Sequence, residues 1–330
     1  MNPTTAVTPL AGHGAQTVVR AGPDAPVAAL LGVELRPALA VAGFVITAVV
    51  VVLCVATLVT AVRRRRAERR RTEARREVRG ELFDRRRRDE PAWDEWLDGL
   101  DGVERDQLER VLDGFLRTVS GSERDLFLDL AERLEMGRTA DETLDRDAVV
   151  PRLRALARLS LLEYPIDGDR LTDTCLDDNR TREAAARLVL ERRGEFENPE
   201  ELGTRLLVWD GEEPMTARGL ETLYELNDGN PEALVSQARD PSDAWNARVL
   251  TQACEVFAEC QMTPRIEWFE WVVPLFDHEE PRVRAGAIQA FRRVGWHEDL
   301  RERVPFRALL ADDDPRVRRA TYRVLAYWGD

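Results

Sequence analysis

The sequence predicts an all-α protein: short amphipathic helices stacked as pairs, preceded by one helix long and apolar enough to cross a bilayer. Three observations carry this. Residues 38-ALAVAGFVITAVVVVLCVATLVTAV-62 are 25 consecutive positions without a charge. From Asp101 onward apolar residues recur at helical spacing, and no stretch alternates with period two for long. Near the end one helix is written twice, as 277-DHEEPRVRAGAIQAFRRVG-295 and 312-DDDPRVRRATYRVLAYWG-329, with Pro281 and Pro315 standing 34 positions apart.

Composition narrows the chemistry. The chain has 330 residues and a net charge of -13, and all 48 of its basic residues are arginine. Such an acidic, lysine-free composition suits a GC-rich genome or a salty cytosol. Without lysine there is no P-loop lysine, no Schiff base and no kinase-type strand lysine. The cysteines Cys54, Cys175, Cys254 and Cys260 form no CxxC pair, so neither a zinc knuckle nor a redox motif is expected.

Residues 1–37 show no periodicity, and their four charges cancel, so a disordered tail is expected. Residues 38–62 exceed the roughly 20 needed to span a bilayer core. Residues 63–90 are read as an arginine-rich juxtamembrane helix. Within it 63–88 hold 14 arginines against five acids, a net of +9. Arginine resists translocation, which puts the N-terminus outside the cell and everything after residue 62 in the cytoplasm. Arg63, Arg64, Arg65 and Arg66 are the candidate contacts for anionic headgroups. With -13 overall and +9 here, residues 89–330 carry -22, which repels nucleic acid. Thr47, Thr57 and Thr60 are expected to bond to their own helix, and Gly43-x-x-x-Thr47 could form a packing face for another span.

Beyond the block the helices follow in order. Asp101 caps 103–119, with Leu108, Val111, Leu112, Phe115 and Val119 on one stripe. Ser122, with Asp125 three residues on, is expected to cap a helix that Gly137 stops. In a helix over 147–162, Val150, Leu153, Ala157 and Leu161 share a face. Residues 165–180 read as an interruption. Helices are then expected over 181–194, 199–209, 217–226, 231–239 and 245–260, several opened by Asn or Thr before Pro or a good helix former. Thr263-Pro264 is expected to open a helix over 264–276 with two apolar faces, and another helix should cover 298–310. In the duplicated helices Val283, Ala287, Ala290, Phe291 and Val294 match Val317, Thr321, Val324, Leu325 and Trp328. The acidic turns before Pro281 and Pro315 suit the positive end of the helix they introduce.

The motif Asp-Asp-Asp-Pro-Arg-Val-Arg-Arg-Ala followed by apolar residues resembles the second helix of a HEAT repeat, an α-solenoid unit of about 40 residues. The resemblance is good over 264–330 and fair over 231–260, and it implies HEAT repeats over 241–330 behind a repeat-like region over 101–240. It also implies binding rather than one fixed activity. The stretch 120-SGSERDLFLDLAERLEMG-137 followed by 151-PRLRALARLSLLEY-164 is similar to membrane-anchored HEAT proteins that accompany cell-surface polysaccharide machinery.

No catalytic, cofactor or metal site is expected. His278-Glu279 resembles one His-Glu pair of HEAT-fold iron enzymes, but a site needs several, and a role in the turn is preferred. His297 reads as an exposed helix start, and Gly12-His13-Gly14 lacks the flanking strand and helix of a phosphate loop. Arg284 and Arg318 hold matching places. They are read either as ion pairs with the turn carboxylates or as a basic strip for an acidic partner helix. Of the tryptophans crowded at Trp245, Trp268, Trp271, Trp296 and Trp328 most should be core, with Trp271 and Trp296 the candidates for docking. The expected function is noncatalytic: a single-span cytoplasmic adaptor holding an unidentified protein partner at the cell membrane, with no small-molecule substrate. The alternatives are an accessory subunit of a membrane enzyme or secretion complex, and a HEAT-fold enzyme or nucleic-acid binder.

Overall fold

The computed structural model describes residues 27–88, 90–209, 211–239 and 245–329, with side chains from residue 41 onward. Residues 1–26 of the expected tail, including Gly12-His13-Gly14, lie outside the described residues. The described residues are all-α, with no strand among them. They divide into two compact units, Met1–Thr72 and Glu73–Asp330.

The first unit consists of most of α1, Val27–Arg86. Its helix begins ahead of the 38–62 run, at Val27. Among the described residues one helix is long and apolar enough to cross a membrane: within Val41–Arg86 an 18-residue window reaches a mean hydropathy of 2.9, and none of that window is buried. Inside the run the hydroxyls of Thr47, Thr57 and Thr60 donate to the carbonyls of Gly43, Leu53 and Thr57 at 2.7–2.8 Å. Each polar side chain is thus satisfied by its own helix, as expected.

The second unit begins with the last turns of α1. Ala74, Val78 and Leu82, four residues apart, are buried there, the latter two at 2% and 1% exposure. This stripe is masked in the sequence by the arginines around it. Its neighbours are α2 (Trp93–Gly99), α3 (Gly102–Leu116) and α4 (Ser122–Arg133), and together they bury Leu108, Leu112, Phe127 and Leu130. Asp101 caps α3 as the sequence predicts: its carboxylate accepts from the N–H groups of Val103 and Glu104, and Glu104 reaches back to the Asp101 N–H at 2.8 Å. The start of α4 differs from expectation. Ser122 is already helical, and Gly121 precedes it at φ +66°, which a residue with a side chain rarely adopts. Nor does Gly137 stop α4. The helix ends at Arg133, Glu135 turns the chain with φ +54°, and Gly137 lies within α5 (Met136–Thr143), where the Tyr164 ring closes over it.

A second buried cluster draws residues from Ala140 to Val324, among them Val235 and Trp245. It takes in α6 (Val149–Leu162), α7 (Gly168–Cys175), α8 (Asn179–Glu191), α9 (Pro199–Val208), α10 (Ala217–Asn227), α11 (Glu232–Ala238), α12 (Ala247–Glu259), α13 (Pro281–Ala290), α14 (Glu298–Arg301), α15 (Phe306–Leu310) and α16 (Pro315–Trp328). Of these, α7 was not anticipated. It sits in the expected interruption, with Asp167 accepting from the Asp169 N–H at its start. Of the expected caps, Thr216 accepts from the Gly219 N–H at α10, whereas Asn198 makes no side-chain cap bond at α9. Asp178 and Asn246, not expected as caps, accept from N–H groups in the first turns of α8 and α12, and Asp314 of the acidic turn does so at α16.

Two expected helices are broken, each at a proline that lacks an N–H. Residues 264–276 form two 3-10 turns, Ile266–Phe269 and Val273–Asp277, with Pro274 at the start of the second. Residues 298–310 become α14 and α15, parted by Pro305. The expected two-sided burial survives in the turns: Trp268, Phe269, Val272 and Phe276 are all buried.

The packing order is simple. Along the unit α6 packs on α8, α8 on α10, α10 on α12, α12 on α13 and α13 on α16, while α5, α9, α11 and α15 lie beside members of that row. Side-chain hydrogen bonds join the layers at a recurrent sequence separation. Thr216 donates twice to Glu183, 33 residues away, each bond 2.6 Å. Gln252 exchanges two bonds of 2.9 Å with the Met215 backbone, 37 away. Trp268 donates to Glu232 and Trp328 to the Arg292 carbonyl, both 36 away.

Candidate functional site

The duplicated helices meet around one carboxylate. Arg284 on α13 grips Asp312 with two bonds of 2.8 and 2.9 Å, and its Nη1 donates to the carbonyls of His278 and Glu279 at 2.7 and 2.9 Å. Arg318 on α16 repeats the second part, donating to the carbonyls of Asp312 and Asp313 at 2.6 and 2.8 Å. His278 and Asp312 are counterparts as well: the Glu280 N–H donates to the His278 Nδ1 at 3.0 Å and the Asp314 N–H to the Asp312 Oδ1 at 2.8 Å. Each copy therefore uses an arginine fork to close the turn that introduces its own helix. Arg284 thus makes the expected ion pair with a turn carboxylate, whereas Arg318 bonds two turn carbonyls through one nitrogen and makes no ion pair among the described residues.

The Arg284 guanidinium holds the Asp312 carboxyl below its ordinary value of 3.8, chiefly through their direct hydrogen bonds. A carboxyl depressed by folding adds stability above its unfolded value, and that contribution is lost as pH falls through the lower folded value. With both side chains at most 17% exposed, Arg284→Ala is expected to cost about 2 kcal/mol at pH 7. Denaturant titration should show the gap between variant and parent narrowing below pH about 4.

The tryptophans separate cleanly. Trp271 is buried, its ring 5.6 Å from that of Phe257, so it offers no docking surface. Trp296 is 72% exposed beside the His297 ring. Arg63, Arg64, Arg65 and Arg66 are exposed on α1, directly after the apolar run. Cys175, Cys254 and Cys260 are buried free thiols; desolvation pushes Cys254 well up and Cys260 to about 12, which makes both inert toward redox chemistry near neutral pH. Among the described residues no group of three or more His, Cys, Asp or Glu could hold a metal ion.

The surface that the sequence reading missed lies over α6. That helix turns inward Arg152, Ala155, Leu156 and Leu159, leaves Val150, Leu153 and Ala157 outside the core, and of the expected stripe packs only Leu161 against the first cluster. Arg152 is the reason the inner face was misread. It is 3% exposed, forks onto Asp177 and donates to the Thr174 carbonyl at 2.7 Å, so a charged residue sits on the core side. The apolar stripe left outside floors two adjoining hollows of about 490 and 600 Å³, which share Arg117, Leu153 and Ala157 in their lining. Val150 is 54% exposed, and Val150, Leu153 and Ala157 belong to neither buried cluster.

Arginines rim both hollows. Arg117, Arg146, Arg154, Arg180 and Arg218 are exposed and make no ion pair among the described residues. The acids of the rim are occupied. Asp113 bonds Arg158 at 2.6 Å, Glu191 bonds Arg187 and Ser160, and the buried Glu183 takes both bonds from Thr216. Gly219 makes that last contact possible, since a Cβ there would stand 2.6 Å from a Glu183 oxygen. The result is an apolar trough with a positive rim on a region of net negative charge. The spacing of Val150, Leu153, Ala157 and Leu161 was visible in the sequence; the face it occupies was not.

No family description matches the chain, and no curated protein matches it. Two crystal structures, each described as an engineered protein, are similar at a low level. The first aligns at a TM-score of 0.32 and 14% identity over 70% of this chain, and the chain spans 66% of it, just under two thirds. The second aligns at 0.29 and 12%, over 72% of this chain and 96% of its own.

Proposed function

We propose that the chain is a single-pass membrane scaffold whose helical second unit, read as a HEAT-like solenoid, holds a protein partner beside the bilayer. The observation that carries the tether is the apolar run of α1, exposed throughout residues 41–62 and followed at once by Arg63 to Arg66. An unburied helix face of that hydropathy is costly in water and stable in hydrocarbon. The excess of arginine on one flank favours the N-terminus outside and the second unit in the cytoplasm. The solenoid reading is supported by the single row of packed helices and by inter-layer bonds 33–37 residues apart, near the length of one repeat. Tethering would raise the partner's local concentration without adding contacts.

Carbonate washing of membranes tests the tether. The full chain should stay in the pellet and a chain lacking 38–62 should move to the supernatant. Protease added to intact spheroplasts should leave the second unit uncut. Release of the full chain, or digestion of the second unit from outside, refutes the reading.

A second reading has one observation in its favour. Gly43 leaves open space on α1 while Thr47, one turn on, turns its hydroxyl back to the Gly43 carbonyl. Such a small-residue face suits close packing of another span, as in an accessory subunit of a membrane enzyme or secretion complex, cell-surface polysaccharide synthesis included. Exchanging 38–62 for an unrelated span separates the two: a scaffold keeps its crosslinked partner and an accessory subunit loses it.

A further inference from the structure

We infer that the trough over α6 is a docking site for an acidic amphipathic helix of a protein partner. This rests on the scaffold reading and supplies the surface and the partner chemistry that reading leaves open. The stripe Val150, Leu153 and Ala157, left outside both clusters, covers about two helical turns, the length over which a docked helix presents apolar residues at i, i+3, i+4 and i+7. Its positive rim is unspent: Arg117 on the α3 side and Arg180 and Arg218 toward α8 and α10 have no internal carboxylate, while every rim acid is already engaged. Carboxylates flanking the apolar face of an incoming helix would meet those guanidinium groups as forked pairs.

Other occupants fit less well. The -22 charge over residues 89–330 repels a phosphate backbone, and an apolar floor gives phosphate nothing to bond. Charge complementarity to a localised basic rim also gives orientation, because residues 89–330 around it are net acidic and disfavour an acidic helix elsewhere on that region.

The test uses the full chain in nanodiscs of zwitterionic phosphatidylcholine. The probe is a fluorescein-labelled peptide of about 18 residues built from Glu, Leu and Ala, with Leu at the i, i+3, i+4, i+7 spacing. Fluorescence anisotropy should show it binding at least about tenfold more tightly than a scrambled peptide of the same composition. Binding should weaken at least about tenfold in the exposed-site triple variant Arg117→Glu, Arg154→Glu, Arg180→Glu, and again in Val150→Asp, with unfolding midpoints unchanged. Raised salt should weaken the parent interaction and spare the residual binding of the triple variant. Equal binding of the scrambled peptide, or indifference to the triple variant, overturns the proposal. So does tighter binding of single-stranded RNA or phosphatidylglycerol vesicles. Self-association of the parent that the triple variant abolishes would assign the trough to a second copy and also overturn it. The tether fails separately: a chain released by carbonate that still binds the helical peptide loses only the anchor.

Discussion

Phe291→Ala is expected to lower the stability of the second unit by about 3–5 kcal/mol, the range for truncating a fully buried aromatic. Phe291 stands just after α13 with no exposure at all. Its ring centroid lies 4.9 Å from Phe269 and 5.4 Å from Phe276, so it joins α13 to both 3-10 turns at once. Phe269 in turn meets Phe257 of α12 edge-on at 5.1 Å. Removing the centre of this group leaves a cavity whose walls belong to three separate segments, and none can move in without disturbing the others. Chemical denaturation followed by near-ultraviolet circular dichroism should show the loss as a lower midpoint at unchanged slope. Trp296→Ala, which removes a larger but exposed ring, should change stability by less than about 0.5 kcal/mol. A cost below about 1 kcal/mol for Phe291→Ala would mean that the aromatic group is not the packing centre described here.

Gly295→Val comes next, with an expected cost of about 3 kcal/mol, the upper end for overpacking a close contact. Gly295 closes the first duplicated segment, and Trp328 is the last residue of α16 in the second. A Cβ at 295 would stand 2.1 Å from the indole of Trp328, far inside any allowed contact. The indole cannot easily retreat, because its N–H donates to the Arg292 carbonyl at 2.7 Å and its other side meets the Phe306 ring at 5.3 Å. Gly295 has φ -60°, so the requirement is for space rather than for unusual backbone. That distinction sets the control. Combining Gly295→Val with Trp328→Leu should recover part of the loss, giving a coupling energy of about 1 kcal/mol or more. Strict additivity would show that the cost has another source.

Both sites show where sequence reasoning stops. The pairing of Phe291 with Leu325 as equivalent stripe positions was legible, since periodicity and capping are local properties of the chain. So were the membrane-length run, the cap at Asp101 and the prolines that open α13 and α16. Proline was also the source of two errors: over 264–276 and 298–310 the apolar spacing continues through Pro274 and Pro305, and the missing N–H breaks the helix that the spacing suggests. The stripe Ala74, Val78, Leu82 was hidden because nine net positive charges dominate its neighbourhood.

The sequence by itself determined that this protein is all-α, where most of its helices begin, and that one of them is apolar enough for a bilayer. Only tertiary structure decided which side of α6 is inside. Two apolar stripes compete there, and the one carrying Arg152 is buried because Asp177 and the Thr174 carbonyl, 22–25 residues away, satisfy its charge. The same holds for Arg284 and Arg318, whose partners are carbonyls and a carboxylate that folding brings to them. Local pattern sets a helix and its periodicity; a partner for each buried charge comes only from another part of the chain, and that partner decides which face remains free to bind.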